Sequence, residues 1–260
     1  MSADRQKVDT QKFGLFLDQA ARTATAVPQF EPGAFDIDQA YAIQQASIAA
    51  RFQRGERLVG MKMGFTSRAK MVQMGVHDMI CGRLTDAMLV EDGGSISMAD
   101  FVHPRVEPEI AFLLKRRISG PLSPMQAMDA VEAVAPALEI IDSRYQAFKF
   151  SLTDVVADNS SSSAFVVGGW NRPDRDLSNL GMIMSFDGRP EALGSSAAIL
   201  GDPARSLAAA SRLSAERGIE LEAGSIILAG GATAASALRP GLQVTLEVRH
   251  LGRAAFSVAE

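Results

Sequence analysis

The stretch Val106-Glu-Pro-Glu-Ile-Ala-Phe-Leu-Leu114 and the later stretch Ala137-Leu-Glu-Ile-Ile141 decide how this chain is read. Both are short and apolar, so both are predicted as strands. On a strand, residues two apart point to the same side. Glu107 and Glu109 therefore project together, while Val106, Ile110 and Phe112 remain available to pack. Pro108 has no N–H to donate, which restricts the first stretch to an edge strand or a strand start. Glu139 lies inside an apolar run, where an acid is costly unless it is paired or metal-bound. Three converging carboxylates cannot all stay ionised without a cation. All-oxygen ligation favours a hard ion, Mg²⁺ or Mn²⁺. The competing reading leaves Glu107 and Glu109 as exposed strand charges and pairs Glu139 with Arg144 or Lys62. Spacing alone leaves both readings open.

Upstream, residues 1–55 read as an N-terminal helical region. Phe13, Leu17 and Ala20-Ala21 recur at helical spacing, and Asp36 or Asp38 caps a second helix after the Pro28–Gly33 break. Tyr41, Ile48 and Phe52 lie near one face of it, and Gly55 ends it. From residue 56 to 260 the texture is β-rich. Leu58–Gly64 reads as a strand, and Thr66 or Ser67 caps a short helix through Met74, closed by Gly75. Residues 82–106 suggest short strands and turns. Ser123-Pro124 starts a helix expected to run to about Val134. Ser160–Ser163 reads as a loop before the strand Ala164–Val167. Ile183–Phe186 with Asp187-Gly188 suggests a hairpin. Asp202-Pro203 opens a helix ending near Gly218, and Ser225–Leu228, Gln243–Val248 and Ala254–Val258 read as strands. The fold class expected is α+β, a β-rich core with an N-terminal helical lobe.

Composition narrows the function. In 260 residues, 47% hydrophobic and 22% charged, the net charge is −4. Lys115-Arg116-Arg117 is the longest basic cluster, which argues against nucleic-acid binding. Cys81 is the single cysteine, so an intrachain disulfide and a zinc-thiolate cluster are excluded; this fits a reducing cytoplasm. The first residues lack a secretion-signal layout, and no apolar run approaches the roughly 20 residues that cross a bilayer. His77, His103 and His250 have no metal-ligand spacing. Ser195 and Ser196 lack the nucleophile-elbow glycines. Ala229-Gly-Gly-Ala-Thr233 is either an anion-binding loop or a simple turn. Lys62, between two methionines in Gly60-Met-Lys-Met-Gly64, is either a substrate-binding cation or a structural partner for a glutamate.

Four ordered motifs carry a family resemblance: Gly60-Met-Lys-Met-Gly-Phe-Thr66, His103-Pro-Arg-Val-Glu-Pro-Glu-Ile110, Pro136-Ala-Leu-Glu-Ile-Ile-Asp-Ser-Arg144 and Val156-Ala-Asp-Asn-Ser-Ser161. Together they resemble the 2-oxopent-4-enoate hydratase and 4-oxalocrotonate decarboxylase branch of the fumarylacetoacetate hydrolase superfamily, over roughly residue 38 to the C-terminus. The resemblance implies a fumarylacetoacetate hydrolase-like core and a Mg²⁺ or Mn²⁺ site on Glu107, Glu109 and Glu139. It also implies a catalytic and substrate-binding Lys62, with Ser161 lining the substrate site. A homo-oligomer is implied, and a complex with the hydratase of the next step.

Hydratases of the branch carry an acid two residues before the glycine that is Gly82 here; this sequence has Ile80. Thr66-Ser-Arg-Ala-Lys-Met71, Gln73-Met-Gly-Val76 and Gly230-Gly-Ala-Thr-Ala-Ala235 resemble the decarboxylases. The expected reaction is therefore metal-dependent decarboxylation of a 2-oxo dicarboxylic acid in meta-cleavage degradation of aromatic compounds, with Ile80 against the substrate. The rivals are hydration of the dienol product, C–C hydrolysis of an acylpyruvate, and a non-catalytic partner subunit.

Overall fold

The computed structural model describes residues 8–67, 71–72 and 78–259. Helices α1 (Thr10–Arg22) and α2 (Ile37–Gln53) form the N-terminal layer. Asp36 caps α2 in a reciprocal capping box with Gln39. Tyr41 and Ile48 are buried on α2 as expected, whereas Phe52 is exposed. Gln44 on the same helix donates from Nε2 to the carbonyls of Cys81 and Val156, at 3.0 and 2.9 Å, tying the helical layer to the sheet behind it.

The strands follow in chain order: β1 (Leu58–Gly64), β2 (Ile80–Thr85), β3 (Leu89–Val90), β4 (Ser95–Ile96), β5 (Arg105–Leu114), β6 (Val131–Ile141), β7 (Ser162–Val167), β8 (Gly181–Phe186), β9 (Arg189–Ser195), β10 (Ile226–Leu228), β11 (Ser236–Ala237), β12 (Gln243–Val248) and β13 (Gly252–Val258). Further helices among the described residues are α3 (Pro124–Met128), α4 (Leu152–Ala157) and α5 (Pro203–Glu216). One sheet has the order β2-β1-β10-β5-β6-β7-β3, with β11 also on β5; the other runs β4-β13-β12-β8-β9. The expected hairpin at Asp187-Gly188 joins β8 to β9. This is the β-rich α+β architecture expected. Among the described residues, no helix is long and apolar enough to cross a membrane.

Alternation gives the larger sheet two different faces. Met61, Met63, Val106, Ile110, Phe112, Leu138, Ile140 and Val166 join the main core, together with Leu246 and Phe256 of the second sheet. The other face holds a smaller buried cluster of Leu84, Ala111, Ala135, Ala137, Phe165 and Leu228. Lys62, Glu107, Glu109 and Glu139 project from this second face, where three alanines leave room for them.

Two expectations fail here. The helix begun at Ser123-Pro124 stops at Met128, and β6 starts at Val131 rather than Ala137. Val131 pairs with Leu114 and the whole strand runs antiparallel to β5. Ladder pairing and β-branched Val131 and Val134 outweigh the helical pattern. Pro108 lies in the middle of a central strand, not at an edge or start. Its missing N–H falls where the neighbouring strand is interrupted. β10 pairs with β5 at Ala111, and β11 pairs again at Val106. Between them the Ala229 N–H still donates to the Ile110 carbonyl at 3.0 Å; the chain then bows away from β5 and touches it again through the Ala232 N–H, which donates to the Pro108 carbonyl at 2.9 Å. The expected short helix at Thr66–Met74 falls largely on 68–70 and 73–77, outside the described residues.

Candidate metal centre and cleft

The β5/β6 register sets Glu107 directly opposite Glu139, and Glu109 follows two residues on along the same face. One carboxylate oxygen from each of the three lies within 4.8 Å of the others. Glu109 and Glu139 are fully buried and Glu107 nearly so. Lys62 reaches them from β1. Its Nζ is 3.0 Å from Glu139 Oε2 and donates to the Ser160 carbonyl at 3.2 Å. Arg144, the other partner considered for Glu139, is bound to Asp158 instead. Both readings of Lys62 thus meet in one place: it makes the ion pair, and it also lines the adjoining cleft.

Among the described residues, the Lys62 ammonium is set against all three carboxylates. Burial, then repulsion from Glu139, pushes Glu109 well above the usual carboxylate range. Burial also raises Glu139, although Lys62 opposes it. Burial pulls Lys62 down, but the surrounding carboxylates outweigh it and keep the ammonium charged. Among the described residues, Glu109 Oε1 and Glu139 Oε1 are buried with no hydrogen-bond partner. Buried carboxylate oxygens left this way are ligands in waiting. The donor set therefore fits a hard divalent cation.

The Gly230–Gly231 turn closes over the trio. The Gly230 N–H donates to Glu109 Oε2 at 2.7 Å, so the loop serves an anion belonging to the protein itself. A Cβ at Gly231 would lie 2.7 Å from Glu107 Oε2. Gly231→Ala must therefore push Glu107 out of place. Such a displacement is expected to weaken Mg²⁺ binding about tenfold or more, read by titration calorimetry; unchanged affinity would refute the contact.

Ser161 was expected in a loop. Asn159, Ser160 and Ser161 instead form a turn with φ of 49°, 51° and 61°, three non-glycine residues in the left-handed region. Each such residue costs about 1–2 kcal/mol, so the surroundings must hold them. The Asn159 side chain accepts from the Arg83 N–H and donates to the Arg83 carbonyl. Ser160 Oγ donates to the Cys81 carbonyl at 2.8 Å. Gly82 makes the close approach possible, since a Cβ there would sit 2.4 Å from the Asn159 carbonyl oxygen. Ser161 Oγ is left buried, without a partner among the described residues, beside the cleft.

The cleft encloses about 290 Å³ beside Glu107 and Lys62. Ser161 and Ile80 line it as expected. Arg105, Thr66, Phe148 and Phe150 also line it and were not anticipated. Arg105 carried a usable signal, because it shares the parity of Glu107 and Glu109 on β5. The two phenylalanines lie between elements, where no periodicity marks them. His103 packs its ring against Phe148 without lining the cleft, and His250 is exposed. His77 lies outside the described residues.

Known proteins resemble this chain over most of its length. The family model described as fumarylacetoacetate (FAA) hydrolase C-terminal matches residues 60–259. A 4-oxalocrotonate decarboxylase of Pseudomonas sp is 62% identical over 242 residues, 93% of this chain and 94% of the relative. A 2-hydroxyhexa-2,4-dienoate hydratase of Comamonas testosteroni is 36% identical, with 88% of each chain covered. A solved structure of 4-oxalocrotonate decarboxylase from Pseudomonas putida G7, complexed with magnesium and adipate, matches at a TM-score of 0.92 and 36% identity. That match covers 96% of this chain and 97% of the other.

Proposed function

The chain belongs to the fumarylacetoacetate hydrolase family, and from that premise we propose that it decarboxylates 4-oxalocrotonate (2-oxohex-3-enedioate) in meta-cleavage degradation of aromatic compounds. The products are 2-hydroxypenta-2,4-dienoate and CO₂. The carrying observation is the union of a cation-demanding carboxylate trio with a cleft wall that is apolar at Ile80. The 62% identity to a 4-oxalocrotonate decarboxylase, against 36% to a hydratase, supports the same reading.

Glu107, Glu109 and Glu139 would hold Mg²⁺ or Mn²⁺, which supplies Lewis-acid stabilisation of charge developing on the 2-oxo oxygen. In the reaction the C5–C6 bond breaks and C6 leaves as CO₂. The electron pair moves through the conjugated carbons onto the 2-oxo oxygen, and a proton on that oxygen completes the dienol. Lys62 adds a fixed positive charge beside the 2-oxo acid. Ser161 offers it a hydroxyl that has no partner among the described residues. Ile80, which is 5% exposed, excludes water and presents no proton to the dienolate carbon. A homo-oligomer and a complex with the hydratase of the next step belong to the same reading.

The test supplies freshly generated 4-oxalocrotonate with Mg²⁺ and follows CO₂ release and dienol absorbance. Water addition to the dienol without CO₂ release would assign the chain to the hydratases. Ile80→Asp sets a carboxylate against a dicarboxylate substrate. A like-charge penalty of about 1.4 kcal/mol is tenfold in rate, so decarboxylation is expected to slow at least about tenfold. An unchanged rate removes Ile80 from the site.

A further inference from the structure

We infer that Arg105 binds the second carboxylate of the substrate, the one remote from the 2-oxo group, and so selects dicarboxylates over monocarboxylates. The inference rests on the 2-oxo acid reading above. Arg105 stands two residues before Glu107 on β5 and projects from the same face, about 7 Å further along the strand. It extends the row Glu109, Glu107 away from the carboxylate trio and along the cleft, as a chain anchored by its 2-oxo end would extend.

The charges of the described residues point to Arg105 for this role. Among the described residues lining the cleft, Lys62 and Arg105 are the two cations. Lys62 is engaged by Glu139 at 3.0 Å. Arg105 makes no ion pair with any described residue. Its guanidinium instead lies over the ring of Phe148, 4.1 Å from the centroid. Stacking occupies the flat face of the guanidinium and leaves its edge N–H groups to grip a carboxylate in two-pronged fashion. The platform is set deliberately: Ala147 and Phe148 both have φ of 56°, a left-handed backbone that non-glycine residues adopt only when held there. Phe150 and Ile141 complete an apolar surround that strengthens the charge contact.

The test measures binding to the Mg²⁺-loaded protein by titration calorimetry. The probes are 2-oxohexanedioate and its one-carboxylate counterpart 2-oxohexanoate. The unaltered protein is expected to prefer the diacid. Arg105→Met is expected to lose about 10- to 100-fold in diacid affinity, the worth of a charge-assisted hydrogen bond, and to change monoacid affinity less than about twofold. Arg105→Lys, keeping the charge without the fork, should fall between. Retained monoacid binding shows that the variant is folded. Unchanged diacid affinity in Arg105→Met, or equal loss of both acids in both variants, overturns the inference. If the unaltered protein binds both acids equally, Arg105 is not the selector while the 2-oxo acid reading stands. If it binds neither, that reading falls as well.

Discussion

Glu139→Gln is expected to leave a folded protein whose Mg²⁺-dependent turnover has fallen by about a thousandfold or more. Glutamine keeps the shape of the side chain and removes its charge. In the metal-free protein it also relieves repulsion against Glu107 and Glu109. With one of three anionic ligands gone, the trio no longer draws in the cation, and Lewis-acid stabilisation worth about 4 kcal/mol is lost. At 1.36 kcal/mol per factor of ten, that is the thousandfold figure. A second readout needs no substrate. A ligand present at a hundred times its Kd stabilises the native state by about 2.7 kcal/mol. For a chain of this size that raises the melting temperature by roughly 5–10 °C. The unaltered protein should show this gain with Mg²⁺ and Glu139→Gln should show almost none. Full turnover in the variant would remove Glu139 from the centre.

Lys62→Met tests the other side of the charge balance. Met61 and Met63 flank the position, and methionine fills the strand's apolar surroundings. What disappears is the ammonium 3.0 Å from Glu139 Oε2 and the donor to the Ser160 carbonyl. Removing one partner of a buried ion pair costs about 3–5 kcal/mol, because the other charge stays buried. Denaturant titration without metal should show a loss of that order. Mg²⁺ should narrow it, since the cation supplies positive charge to the same carboxylates. Turnover should fall about 10²- to 10³-fold, the usual effect of deleting one fixed charge-stabilising group. A variant equally destabilised with and without Mg²⁺ would mean that Lys62 acts in packing alone.

Much of this site could be read from the chain. Period two placed Glu107 and Glu109 together, and the apolar run around Glu139 marked it as unusual. That Glu139 stands opposite Glu107 depends on the β5/β6 register, which spacing does not reveal. A strand begun at Val106 leaves Arg105 outside it, although β5 in fact starts there. The turn at Asn159–Ser161 was unreadable for a different reason. Serines carry no signal for left-handed backbone; contacts to Cys81 and Arg83, far away in sequence, impose it. The overlong helix after Ser123 shows local pattern yielding to a long ladder.

Pro108 has a further consequence for which structures this sequence avoids. The chain takes eight steps from Leu228 to Ser236 where β5 takes five from Ala111 to Val106. A continuous ladder there would zip β10 into β11, swallow the bow at 229–235, and drag it across the carboxylates. A residue with an N–H at 108 would reward that competing register with a hydrogen bond. Proline withholds the bond, so the alternative pairing gains nothing at the point where it would begin. Placed in the centre of a sheet, it acts as a registration mark that keeps the roof of the cleft from closing into the wall.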